Sequence, residues 1–217
     1  MKRMILLTAL GLSFVGGALA ASAGDIKGLN ANGPAREYAE KLMLFGQFVG
    51  DWEFDMVLIH PDGTRLKGNG EWHFGWVLEG RAIQDVWIAR DDISKPNAPV
   101  TEWGTTLRSY DPRTDAWHVV WAGPRRGSVV TFTGRKIGEE IVMEVDGVQG
   151  LPCMNSGESA SVRRGRWIFD QISANSFHWR EVISRDAGKT WQLEQEMFVR
   201  RMKGGSNSGT DRGVSQP

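Results

Sequence analysis

The sequence predicts an all-β domain: an antiparallel up-and-down closed barrel of about ten strands with a short N-terminal helix. Three observations lead there. From Trp52 onward, apolar residues recur at every second position, as on one face of a strand. Turn clusters punctuate these runs, among them His60-Pro61-Asp62-Gly63, Glu79-Gly80, Asp111-Pro112-Arg113-Thr114, Gly138 and Asp146-Gly147. Each run has one apolar face, and a flat sheet of this length would curl or leave edges exposed, which closure avoids. A two-sheet sandwich is the competing architecture; consecutive short hairpins favour the barrel.

The chain opens with Lys2 and Arg3, an apolar stretch from Met4 to Val15, and then small residues. Ala18-Leu19-Ala20 and Ala21-Ser22-Ala23 both suit cleavage, so residues 1–23 read as a secretory signal peptide and the mature chain should start between Ala21 and Gly24. The apolar stretch is too short to span about 30 Å of hydrocarbon, so no membrane span is expected. The expected location is periplasmic or secreted. Residues 24–202 form the expected barrel domain. Residues 203–217 hold a single apolar residue, Val214, and read as a disordered tail.

A helix is expected from Pro34 to about Phe45. Proline suits a first turn, and Ala35, Tyr38, Ala39, Leu42 and Phe45 recur at helical spacing before Gly46. Period two then takes over. Trp52, Phe54, Met56 and Leu58 make the first strand, and Trp72, Phe74, Trp76 and Leu78 the second. Further strands are expected at Arg81–Arg90, Trp103–Tyr110, Ala116–Ala122, Val129–Gly134, Ile141–Val145, Arg166–Asp170, Phe177–Ser184 and Trp191–Arg201. Two connections are longer, Asp91–Thr101 and Val148–Gly165, and long connections in a β domain often rim a site.

Lys and Arg number 26, as do Asp and Glu, and loss of Lys2 and Arg3 would leave the mature chain slightly acidic. Nothing there argues for nucleic acid as a partner. Cys153 is the only cysteine, which excludes an intrachain disulfide. Stability therefore rests on the core, to which ten Trp contribute. The oligomeric state is left open.

The segment Phe48-Val49-Gly50-Asp51-Trp52 resembles the Gly-x-Trp opening of lipocalins and related calycin barrels. The pattern Gly104…Ser109-Tyr110-Asp111 followed by Trp117…Trp121 is similar to a bacterial lipocalin-like family of largely undescribed function. The resemblance implies a calycin barrel with an interior cavity. It also implies that Trp52 packs across a closed end under an arginine of the last strand, Arg200 or Arg201. It brings no catalytic residues with it. Ser184-x-Asp186-x-Gly188-x-Thr190-Trp191 is similar to the Asp-box of sialidase hairpins, but a sialidase carries several boxes on a longer chain, so this one reads as a turn device.

Among residues that could carry chemistry, none of His60, His73, His118 and His178 pairs at metal-ligand spacing, and no metal site is expected. His118 and His178 lie mid-strand among aromatics. Asp85, Arg108, Arg180 and Glu181 are charges inside strand-like runs; inside a barrel each must meet a partner or a ligand, and an outward charge on a solvated face is the competing reading. Glu181 shares parity with Phe177 and Trp179, and Asp85 with Ile83 and Trp87. Glu181, Asp85, Arg108 and His178 are the catalytic candidates. Trp72, Trp76, Trp87, Trp117, Trp121, Trp179 and Arg180 are the ligand-binding candidates.

The expected function is an exported carrier or sensor that holds a small apolar or aromatic molecule inside the barrel. A lyase, isomerase or cyclase acting on a hydrophobic substrate there is one alternative. A haem-binding barrel using His118 or His178 is another, although no cofactor is required by any motif.

Overall fold

The computed structural model describes residues 26–91, 99–146 and 164–203. The expected signal peptide, most of the tail, Cys153, Gly147 and most of both long connections lie outside these residues. One helix, α1 (Ala39–Gly46), precedes ten strands. These are β1 (Gly50–Ile59), β2 (Arg65–Val77), β3 (Ala82–Asp91), β4 (Val100–Asp111) and β5 (Ala116–Gly123). β6 (Ser128–Ile137), β7 (Glu140–Val145), β8 (Arg164–Asp170), β9 (Ser176–Ser184) and β10 (Gln192–Arg201) complete the set. Each strand pairs antiparallel with its neighbours in sequence, and β1 closes on β10 to complete the barrel. Among the described residues no helix is long and apolar enough to cross a membrane.

Most element boundaries shift by one to three residues from expectation, and two starts differ by more. The helix begins at Ala39 rather than Pro34, because Tyr38 takes a left-handed φ of 61°. The residues before it are committed elsewhere: the Ala35 N–H donates to the Gly80 carbonyl, and Ala31 bridges to Trp76. The second strand starts seven residues before Trp72, at Arg65, and ends at Val77, so that Leu78 lies exposed in the turn that follows rather than on the strand. Its early inward positions are Gly68 and Gly70, which show no apolar alternation. A Cβ on Gly70 would lie 2.4 Å from Phe54 Cζ, and one on Gly68 2.7 Å from Met56 Cε. Those glycines leave the space that the rings and thioethers of β1 fill.

One end of the barrel is closed by α1 and the chain that follows it. Phe45 and Phe48, wholly buried, pack against Phe74, Phe169 and Phe177. Trp52 is fully buried beside them, edge-on to Phe177 at 4.9 Å, and its indole N–H donates to the Phe48 carbonyl at 2.6 Å. Arg201 covers it: the guanidinium carbon lies 4.0 Å from the ring centroid, and the nitrogens donate to the carbonyls of Val49, Gln47 and Ala174. Of the two arginines expected there, Arg201 takes the position, while Arg200 turns outward to Glu53 and Asp55. Burial pulls the Arg201 pKa down from its usual value.

Below this plug lies a buried ion pair. Arg108 Nη1 donates to Asp85 Oδ2 at 2.6 Å, and the Thr106 N–H donates to Asp85 Oδ1 at 2.9 Å. Both charged side chains are wholly buried, and the guanidinium lies about equally close to the rings of Phe45 and Phe74.

At the opposite end, the Asp-box shapes the β9–β10 hairpin. Asp186 accepts from the Thr190 N–H at 2.8 Å and the Thr190 hydroxyl at 2.6 Å, and Gly188 turns at φ 93°. Trp191 packs on Val142, Ile168 and Val182 on the outer wall, under the Arg166 guanidinium at 4.0 Å. The Thr190 hydroxyl first, then its N–H, pulls the Asp186 carboxyl down to about 2. A depressed carboxyl stabilises the fold above its ordinary value of 3.8, and that contribution is lost as pH falls through about 2. Asp186→Ala is therefore expected to lower the denaturation midpoint at neutral pH while leaving ligand binding unchanged. Its deficit against the parent should shrink from about pH 4 and close only below about pH 2; a deficit as large at pH 2 as at neutral pH would show that the charge is not its source.

Candidate functional site

The inward positions away from the plug enclose a cavity of about 50 Å³. About 10–15 Å³ holds one water, so the space as it stands takes several waters, and a six-membered ring enters only if side chains of the lining shift. Its wall is mostly aromatic. Trp72 of β2, Trp87 of β3, Trp121 of β5, Trp167 of β8 and Trp179 of β9 all line it. Neighbouring rings meet edge to face: Trp87 and Trp121 at 5.8 Å and 72°, Trp121 and Trp167 at 5.5 Å and 79°, Trp72 and Trp179 at 6.4 Å and 84°. Phe54 stacks parallel to Trp87 at 5.6 Å. Edge-to-face contact is the favoured geometry for such rings and holds them in fixed orientations.

One small residue makes this packing possible. Gly104 of β4 sits opposite Trp87 in the register, and a Cβ there would lie 1.8 Å from Trp121 Cη2. The Trp121 ring lies across the β4 backbone because that position has no side chain.

Softer and polar groups complete the lining. Met56, Leu58 and Met197 supply the rest of the apolar surface. The Trp87 indole donates to Met197 sulfur at 3.4 Å, Trp121 to the Ser128 hydroxyl at 3.3 Å, and Gln195 to Met56 sulfur at 2.9 Å. Glu181 of β9, wholly buried, lines the cavity two residues beyond Trp179. Glu102 of β4 lines it as well; its carboxylate accepts the Trp103 and Arg125 N–H groups and faces Arg126 at 3.7 Å. The indole N–H groups of Trp72, Trp167 and Trp179 are buried and meet no acceptor among the described residues.

The expected site residues divide into four groups. Trp72, Trp87, Trp121, Trp179 and Glu181 border the cavity. Trp76 and Trp117 do not: they belong to the plug, Trp76 beneath Gly46 and Trp117 edge-on to Phe45 at 4.9 Å. Asp85 and Arg108 face inward, but they neutralise each other under the plug rather than lining the cavity. Arg180 and His178 are on the outer wall, a correction to their expected place, because β9 turns Phe177, Trp179 and Glu181 inward and leaves the alternate positions outside. There Arg180 pairs with Asp170 and Glu140, and His178 sits between Asp170 and Glu196. His118 is likewise outside, 3.3 Å from Asp111. The haem alternative needs one of these two imidazoles inside the barrel, and neither is there.

Sequence reasoning missed Trp167, Glu102, Gln195 and Met197. Trp167 and Met197 were open to parity with Phe169 and Val199, their inward neighbours on β8 and β10. Glu102 gave no such signal.

No family model matches the chain, and no curated protein matches it. Solved structures do. The crystal structure of Rv2717c from M. tuberculosis has a TM-score of 0.51 at 15% identity, over 76% of this chain and 99% of that one. The S-type phycobiliprotein lyase CPES from Guillardia theta has a TM-score of 0.49 at 11% identity, over 78% and 99%. A redesigned β-barrel, mFAP0, bound to DFHBI, has a TM-score of 0.37 at 12% identity, over 71% and 99%. At these identities the likeness is one of fold, and only the first is close enough to support even that.

Proposed function

We propose that this protein is an exported small-molecule binding protein that holds a compact apolar or aromatic ligand inside its barrel. The observation that carries the reading is the cavity: a chamber walled by five indoles from five strands, with Glu181 within it. A mostly apolar concavity with a few placed polar groups is the usual form of a ligand site. The four catalytic candidates support binding rather than turnover, because they do not converge. Asp85 and Arg108 are spent on each other, His178 is outside, and only Glu181 borders the cavity. Export and cleavage rest on the signal features of residues 1–23; N-terminal sequencing of exported material that retained Met1 would end the cleavage reading, and recovery of the chain only from inside the cell would end export.

The test of binding is mass spectrometry of what purifies with the protein, followed by return of that compound to stripped protein. A ligand in this chamber raises the melting temperature by mass action and changes tryptophan fluorescence. Glu181→Gln, which keeps the side-chain shape, is expected to leave the fold intact and change affinity about tenfold, the weight of one hydrogen bond in a buried site. Unchanged affinity would show that Glu181 does not touch the ligand.

A further inference from the structure

We infer that the outer face of β3–β6 is the interface of a homodimer, covered by the same face of a second copy of this chain. The face lies on the outside of the barrel wall, so the inference does not depend on what the cavity holds.

The outer wall is of two kinds. Around β7–β10 and β1, outward positions carry charges that pair across strands: Arg166 with Glu144, Arg180 with Asp170, and Arg200 with Glu53. On β3–β6 the pattern changes. Between Gln84 and Ile88, Trp103 and Ser109, Val120 and Ala122, and Val129 and Thr133, no outward position carries a charge. Five large apolar side chains stand exposed there instead: Val86, Trp103, Leu107, Val120 and Val129. Trp103 is 46% exposed and Val129 65%. The strand register makes them one surface, because Leu107 stands opposite Val120, while Val86, Thr105, Ala122 and Val129 form a row across all four strands. Single exposed apolar residues are ordinary on a protein surface; a contiguous field of them marks an interaction site. Polar groups within the field are matched from inside it. Gln84 donates to the Thr105 hydroxyl at 3.1 Å, and that hydroxyl donates to the Asp85 carbonyl at 2.6 Å, so covering them strands neither.

Charge and area choose the occupant. A two-fold axis sets a patch against its own image, so any net charge on the patch would meet its own sign. A face without charge escapes that repulsion, whereas a charged partner or a lipid head group would find nothing on it to pair with. The area fits as well. Strands lie about 4.8 Å apart and outward neighbours about 6.8 Å apart along a strand, so the 12 outward residues of these four segments cover about 400 Å² measured flat. A stable dimer buries about 800 Å² on each partner, as an apolar centre within a polar rim. The face supplies the centre, and the rim is in place around it, with Glu71 and Arg90 on one flank and Arg135 on the other. Trp103 is the aromatic anchor that such a centre is usually built on.

Sedimentation velocity of the purified protein, from about 1 to 200 µM, is the test; a dimer with a dissociation constant of about 10 µM is expected for an interface of this size. Leu107→Lys and Val120→Lys each place two unpaired ammonium groups in the apolar centre of the dimer. Each is expected to raise the dissociation constant about a hundredfold. Both side chains are exposed in the single chain, so the melting temperature of dilute protein should not change. Phe198→Lys, exposed on the charged part of the wall, should leave the dimer as it is. In nitrogen-15 spectra, the Trp103 indole signal, assigned by Trp103→Phe, should move with protein concentration. If a lysine variant does not fold, that signal in the parent carries the test. A monomer throughout the range, or a Trp103 signal that ignores concentration, would overturn the inference. So would a dimer that both lysine variants keep or that Phe198→Lys abolishes, since its interface would then lie elsewhere. A monomer that floats with phosphatidylcholine–phosphatidylglycerol vesicles, and loses this with Leu107→Lys, would overturn it in favour of a lipid surface.

Discussion

Replacing Trp52 with alanine is expected to cost the fold about 3–5 kcal/mol, the usual loss for a buried tryptophan. Its ring is wholly buried, meets Phe177 edge-on and donates to the Phe48 carbonyl, and Arg201 lies flat above it. Removing it also takes away the apolar face on which the guanidinium rests, while the three carbonyls that Arg201 serves stay in place. The expected result is a lower midpoint in urea with a slope near that of the parent, since the surface exposed on unfolding hardly changes. A midpoint within error of the parent would show that the plug does not depend on Trp52.

Breaking the Asp85–Arg108 pair from one side is expected to be as damaging, about 3–5 kcal/mol, because it strands a charge in an apolar layer. Asp85→Leu leaves the guanidinium between Phe45 and Phe74 with no anion, and Arg108→Met leaves a carboxylate held only by the Thr106 N–H. The two substitutions together should cost far less than their sum, since an apolar pair of similar volume can replace a buried ion pair at little loss. A double-mutant cycle by chemical denaturation measures this directly. Additive losses would mean that the two groups do not act as a pair.

Much of this architecture was legible from alternation alone. Strand number and closure follow from period two and the turn clusters, and the Trp52–arginine plug is what the resemblance to lipocalin openings implied. β4 shows where that reasoning stops. Its inward face is Glu102, Gly104, Thr106 and Arg108, while Trp103 and Leu107 are exposed. Apolar-in, polar-out reading inverts this strand. The reason is what its neighbours need: Gly104 makes room for the Trp121 ring, Thr106 and Arg108 serve Asp85, and Glu102 faces Arg126 at the cavity. A strand can present its polar face to the interior when partners from other strands meet each polar group, and those partners are far away in sequence. Arg180 and His178 show the opposite case. They alternate with Trp179 and Glu181 along β9, and those two take the inner face. The division of the tryptophans between plug and cavity depends on depth along the barrel, which alternation does not report.

The seam between β1 and β10 has a consequence for how the barrel is assembled. Every other pairing joins strands adjacent in sequence, whereas this one sets Trp52 against Arg201 and Leu58 against Gln195. Hairpins close over short loops, but the seam must gather nearly the whole domain, and such non-local pairing slows folding. Until it forms, β1 and β10 present two free edges, and the strand edge of a second chain is chemically equivalent to the correct one. Correct closure is unimolecular and the error is bimolecular, so dilution decides the outcome: refolding yield falls as chain concentration rises, even where the finished barrel is stable.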